Sequence, residues 1–170
     1  FMEGVSWRGQ VRTIFIADGA GAPVRAVDAV RALPGLGLEG DRYARGAGTW
    51  SHRPEPGRQV TLIEWEALEA LRRDLGIELA PGAHRRNVVT VGVPLSHLVG
   101  RTFRIGEVRL RGTRLCEPCQ YLEKLNGVEG LFTALLHRAG LRAEILNPGL
   151  LRVGDAVEPV PEPAPAASDR

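Results

Sequence analysis

Long apolar runs are missing from this 170-residue chain. The longest, such as residues 131–136, fall far short of the roughly 20 residues needed to cross a bilayer, and no charged start followed by an apolar core marks a signal peptide. A cytoplasmic protein with no membrane partner is expected. Charge of one sign is missing as well: 22 basic against 20 acidic residues leave a net +2, with no concentrated basic face, so no nucleic-acid partner is expected. Lysine is nearly absent, Lys124 standing alone against 21 arginines. Arginine suits bidentate phosphate or carboxylate contacts, although a GC-rich genome writing arginine for lysine accounts for most of these. Cysteine is scarce too: Cys116 and Cys119 are the only two, which argues against a disulfide scaffold and toward thiol chemistry or metal.

What is present is an ordinary globular composition, 44% hydrophobic and 25% charged, on a length that favours one domain. Residues 11–16 and 24–27 read as strands of a meander. Residues 33–58 are dense in Gly and Pro and lack any period; they read as a long loop, which Leu36, Leu38, Tyr43 and Trp50 fold onto the body. Residues 59–63 form a strand. In 64–75 the apolar positions Trp65, Leu68, Leu71 and Leu75 share a helix face, and Gly76 ends that helix. A strand over 87–91, a short helical turn, and a hairpin of 102–105 with 108–111 about Gly106 and Glu107 follow. A short helix over 118–125, an amphipathic helix over 130–139 with Leu131, Leu135 and Leu136 inward, and closing strands over 141–146 and 151–157 complete the pattern. Many short strands, few helices and no regular β-α-β alternation predict a mainly β, α+β fold, a mixed β-barrel over residues 5–158. The Pro/Ala-rich residues 159–170 read as a disordered tail. Phe1 stands ahead of Met2, as an addition before an initiator would.

The sharpest motif is Cys116-Glu117-Pro118-Cys119, after a strand and leading into a helix. Pro118 suits the first helical position and would put Cys119 in the first turn, where exposed N–H groups and Arg114 favour a thiolate while Glu117 opposes it. Several readings stay open. A zinc site needs two further ligands, and His52, His84, His97 and His137 show no paired spacing. A thioredoxin-like pair needs a β-α-β context. Two small buried hydrophobes at a turn are a third possibility. A functional thiol acting as nucleophile, sulfur carrier or soft-metal ligand is the fourth. Around it, Arg85 and Asn87 of His84-Arg85-Arg86-Asn87 are candidate ligand contacts, with at most one of the adjacent arginines facing a given site if the segment is extended. Asp41, in Gly40-Asp41-Arg42, caps its loop or touches ligand.

Read in order, GLEGDRYA (37–44), GRQVTLIEWEALEAL (57–71), residues 85–119 ending in LCEPC, and LRAEILNPGLLRVGD (141–155) resemble the MOSC family, named for the carboxy-terminal domain of molybdenum-cofactor sulfurases, in its stand-alone bacterial form. The resemblance implies a barrel that handles sulfur or the molybdenum cofactor (molybdopterin) through one cysteine. In the mitochondrial amidoxime-reducing relatives a cysteine binds molybdenum directly, and Cys119 matches it. Their F-R-P-N segment carries over to Arg85 and Asn87 and departs at His84 and Arg86. Where some bacterial members have His-Gly-Gly, this chain has His52-Arg53-Pro54. Two activities follow from the resemblance. In one, Cys119 is catalytic and holds molybdenum, Arg85 and Arg114 meet the cofactor phosphate, and an N-hydroxylated small-molecule substrate is reduced with electrons from a partner protein, since no flavin, haem or iron–sulfur motif is present. In the other, Cys119 carries sulfur as a persulfide, or the cofactor, between a sulfur-donor protein and a partner enzyme. Either way the sulfur is expected at the mouth of the barrel.

Overall fold

The structure is a computed structural model that describes residues 6–161. Along the chain lie β1 (Gly9–Ala17), β2 (Val24–Val27), β3 (Ala29–Leu33), β4 (Gly37–Leu38), β5 (Val60–Glu64), α1 (Trp65–Leu75), β6 (Val88–Val91), β7 (Thr102–Ile105), β8 (Val108–Leu115), α2 (Gln120–Asn126), α3 (Leu131–Ala134), β9 (Leu141–Ile145), β10 (Gly149–Arg152) and β11 (Ala156–Pro159).

Seven strands close a mixed barrel in the order β1-β6-β5-β9-β8-β7-β11, with β11 returning to β1. Every neighbouring pair is antiparallel except β5 and β6. A parallel pair needs a crossover, and α1 supplies it across the outside of the wall. β2 extends from the far half of β1, and β10-β3-β4 form a separate small sheet. The barrel interior is filled by alternate residues, among them Val60, Leu62, Val88, Phe103, Leu110, Leu141 and Ala143, all fully buried. A second apolar cluster under α2 and α3 includes Leu71, Leu122, Leu131 and Leu135, and a third, Phe15, Ile63 and Val89, lies beneath α1.

The expected barrel is therefore present, with local differences. The 33–58 segment is a long loop folded onto the body apart from β4; Leu38 is fully buried, while Leu36 and Trp50 are exposed. The 151–157 strand is two strands, because Gly154 takes φ 90° and the Asp155 carboxylate accepts the Arg152 N–H at 2.9 Å, turning the chain. The 130–139 helix stops at Ala134; Leu131 and Leu135 point inward, but Leu136 is exposed and His137 has a left-handed φ of 65°. The tail expected to be disordered from residue 159 starts within the sheet, Pro159 pairing with Phe103 and the Val160 N–H donating to the Thr102 carbonyl at 3.3 Å; from residue 162 onward it lies outside the described residues, as do Phe1 and Met2.

Candidate functional site

The register of three strands builds the site. Thr61 of β5 is paired with Arg142 of β9, and Arg142 with Arg114 of β8. Directly paired residues share a face, and since Leu62, Leu141 and Ala143 point into the barrel, Thr61, Arg142 and Arg114 point out of it. Arg114 joins this row only because β8 carries a bulge between Gly112 and Arg114. Without that extra residue Arg114 would pair with Leu141 and face the core. The site thus lies on the outer wall of the barrel, and the expected position at its mouth is corrected accordingly.

Two further arginines arrive from loops. Asp41 is fully buried and accepts the N–H groups of Ala17 at 3.0 Å and Tyr43 at 3.3 Å, together with Arg42 Nη1 at 3.1 Å. It pins the long loop to the end of β1 and aims Arg42, whose Nη2 donates to the Arg85 carbonyl at 3.0 Å. Arg85 has a left-handed φ of 61°, so the segment is not extended, and both Arg85 and Arg86 reach the same cavity where one was expected. His84 supports this turn by accepting the Arg86 N–H on Nδ1 at 2.9 Å. Arg58, from the turn Pro56–Arg58, and the exposed Trp50 close one side, with the guanidinium carbon 5.7 Å from the indole centre.

Cys119 is half-buried and lines this cavity; Cys116 lines it too but is buried, with its N–H donating to the Gly140 carbonyl at 2.7 Å. The helix after the motif begins at Gln120, two residues later than expected. Cys119 has extended φ −131° and ψ 156° as the residue before α2, Pro118 lies outside the helix, and the thiol makes no capping hydrogen bond. Among the described residues no three His, Cys, Asp or Glu side chains gather to hold a metal, so the zinc alternative lacks its ligands.

The cavity holds about 320 Å³ and is walled by Arg42, Arg58, Arg85, Arg86, Arg114 and Arg142 around the Cys119 edge. Three carboxylates answer them in part. Asp41 pairs with Arg42; Glu55 lies 2.7 Å from Arg114, whose hydrogen bond holds the Glu55 carboxyl below its usual range; Glu117 is exposed on the wall. Positive charge is left in excess. Burial lowers the Arg142 pKa; the Cys116 thiol acts oppositely, and Arg114, Arg58 and Arg86 add to the lowering. Burial likewise lowers Arg85, with Arg42 adding to it. Arg142 Nε and Arg85 Nη2 are buried without a hydrogen-bond partner. An unpaired buried donor is costly, and an anion with several acceptor oxygens would relieve both at once.

The sequence model of the MOSC domain matches residues 49–158. The chain belongs to the MOSC domain family. The matched segment contains Cys119 and every cavity arginine except Arg42, while β1 to β4 precede it. Among solved structures, this MOSC chain is similar to the YuaD protein of Bacillus subtilis, at 18% identity and a TM-score of 0.75 over 89% of this chain and 97% of that one. YiiM of Geobacillus stearothermophilus is 14% identical with a TM-score of 0.68, covering 90% and 75%. YiiM of Escherichia coli is 20% identical with a TM-score of 0.65, covering 95% and 72%. At these identities the likeness extends to the fold. No curated protein matches the chain.

Of the expected site residues of this MOSC protein, Cys119, Arg85 and Arg114 meet at the cavity. Asn87 and Asp41 are not on its wall. The Asn87 side chain is consumed inside the sheet, accepting Thr61 N–H at 3.1 Å and Thr61 Oγ1–H at 3.2 Å and donating to the Phe15 carbonyl at 3.1 Å. Asn87 therefore ties β1, β5 and the start of β6 together, and Asp41 acts through Arg42. His52 is exposed and stacks loosely on Trp50, with ring centres 6.1 Å apart. Sequence reasoning missed Arg42, Arg58 and Arg142 as site residues. Arg42 lay inside the Gly40-Asp41-Arg42 signal, whereas Arg142 carried only its outward place on an alternating strand.

Gly140 links this site to the barrel. It has φ 116°, and a Cβ there would collide with the Leu62 carbonyl. Gly140→Ala is expected to cost about 3 kcal/mol and lower Tm by roughly 10 °C in thermal unfolding.

Proposed function

We propose that the arginine cavity binds the anionic pterin cofactor of molybdenum, with Cys119 as the protein's ligand to the metal. On this reading the protein reduces N-hydroxylated compounds in the cytoplasm with electrons from a partner protein. One observation carries it: a half-buried thiol opens into a cavity ringed by six arginines, two of which bury donors that no described group satisfies. These residues fit the group. A thiolate is a soft ligand suited to a soft metal, a phosphate suits unpaired guanidinium donors, and about 320 Å³ is within the range of small-molecule sites.

When bound, the cofactor supplies two-electron chemistry that removes an oxygen atom from the substrate. The chain's own residues bind and orient it. Cys119 presents sulfur from the edge of α2. Arg142 and Arg85 direct their unpaired donors at anionic oxygens, and Arg58 with Trp50 covers one side. Glu55 holds Arg114 in place through hydrogen bonds of 3.1 and 2.7 Å, and Arg86 is held by donating Nε to the Ala139 carbonyl at 2.8 Å.

The test is metal analysis and pterin fluorescence of protein purified from a host that makes the cofactor. Stoichiometric molybdenum is expected, lost in Cys119→Ala and largely kept in Cys116→Ala. Molybdenum-free protein bearing a cyanide-labile sulfur on Cys119 would move the assignment to a carrier that delivers sulfur or cofactor to a partner enzyme.

A further inference from the structure

A second cavity, of about 360 Å³, lies between α1 and the outer barrel wall and shares no lining residue with the arginine cavity. Its floor is Phe15 of β1, Val89 of β6 and Leu71 of α1, all buried. Its sides are Trp65, Leu68, Ile77 and Leu79, apolar side chains left half-buried. Gly76, with φ 65°, ends α1 and turns residues 77–82 back over the opening, and Gly82, with φ 76°, has no room for a Cβ against Val24 and Phe15. A half-open cleft of this volume with mostly apolar walls has the size and lining of small-molecule sites.

One buried polar ring faces it. His84 is 3% exposed, lines the cavity, and packs edge-on to Phe15 with ring centres 5.5 Å apart and planes at 74°. Its Nδ1 accepts the Arg86 N–H, so in the neutral ring Nε2 carries the proton. Burial, with Arg86 adding to it, pushes the His84 pKa down to about 3, which keeps the ring neutral. Nε2–H has no hydrogen-bond partner among the described residues, and His84 and Thr13 bring the only uncharged polar side chains to a largely apolar lining. The charged groups, Glu69, Arg72 and Glu78, are exposed and of mixed sign, so they select for neither an anion nor a cation.

We infer that this cavity is a binding site for a neutral, mainly apolar small molecule carrying one carbonyl-type acceptor, which takes the His84 Nε2–H while its body lies among Phe15, Trp65, Leu68 and Val89. The site is separate from the cofactor reading, and neither depends on the other. It touches the arginine cavity at one point, since the ring that meets this ligand also holds the Arg86 backbone by its other nitrogen.

The experiment compares two probes of like shape, 1-indanone, which has the acceptor, and indane, which lacks it, by 1H–15N NMR titration of the full chain. Saturable binding of both is expected, with 1-indanone tighter by about fivefold, the worth of one net hydrogen bond. His84→Phe is expected to erase that ratio and keep indane binding, and Leu68→Trp to fill the chamber and abolish both. Should His84→Phe fail to fold, the His84 Nε2–H resonance of the unsubstituted protein still decides: a downfield shift with 1-indanone and not with indane supports the donor role. Equal affinities with no such shift, or no saturable binding of either probe, would overturn the inference.

Discussion

Asp41→Ala is expected to remove about 3–5 kcal/mol of folding stability, the cost of leaving a buried guanidinium without its partner. Both side chains of the pair are shielded, with Asp41 fully buried and Arg42 at 6% exposure, 3.1 Å apart. The same carboxylate satisfies the N–H groups of Ala17 and Tyr43, so truncation strands three donors at once. Urea unfolding measures the loss. Asp41→Asn separates charge from geometry: its amide oxygen still accepts the Ala17 N–H, so a smaller loss is expected. Because Arg42 reaches both the cavity and the Arg85 carbonyl, Asp41→Ala should also release the loop from the arginine turn and weaken binding of inorganic phosphate by the cavity. A loss below about 1 kcal/mol would show that the pair does not anchor the loop.

That loop illustrates what the sequence reveals and what it conceals. Regular periods were legible: the helix face of Trp65, Leu68 and Leu71, although Leu75, expected on that face, is exposed at the helix end, the two-residue hairpin turn at Gly106 and Glu107, and the barrel itself from the count of short strands. The cysteine motif was legible because cysteine occurs only twice in this chain, three positions apart. The arginine cluster was not, because it is made by irregularities. A bulge in β8 turns Arg114 outward to join Arg142, and a left-handed Arg85 lets two consecutive arginines face one cavity. Neither leaves a periodic trace, and among 21 arginines no single one stands out by composition. Asn87 shows the converse. Its position in a family-like motif suggested ligand contact, yet a buried amide beside three strands is taken up by backbone groups that would otherwise go unpaired. β3 and β4 were missed because neither strand shows a sustained apolar alternation, and each is specified by tertiary pairing, β3 with β10 and β4 with β3.

Acid is expected to destabilise the fold through His84. Its pKa is about 3 in the folded protein against an ordinary 6.5, mainly because burial disfavours the charged ring. Between those values the unfolded chain binds a proton that the folded chain refuses, so stability rises with pH across the window. The contribution is fully present above pH 6.5 and is lost progressively as pH falls toward 3. From pH 6.5 to about pH 4 the loss amounts to about 3 kcal/mol at one proton per molecule. Exposed carboxylates act in the same direction, since Asp18 and Asp74 are held below their usual range by hydrogen bonds from Arg25 and Arg73, so the slope alone does not isolate the imidazole. His84→Gln does. The amide oxygen can still accept the Arg86 N–H, while the titrating group is gone. At neutral pH the variant is expected to be less stable by about 1–2 kcal/mol from imperfect packing against Phe15. Its urea-unfolding free energy should then fall less steeply than that of the unsubstituted protein, so that the two profiles converge or cross near pH 4. Parallel profiles would mean that His84 takes up its proton without resistance, and that the ring is not the neutral, walled-in group its surroundings require.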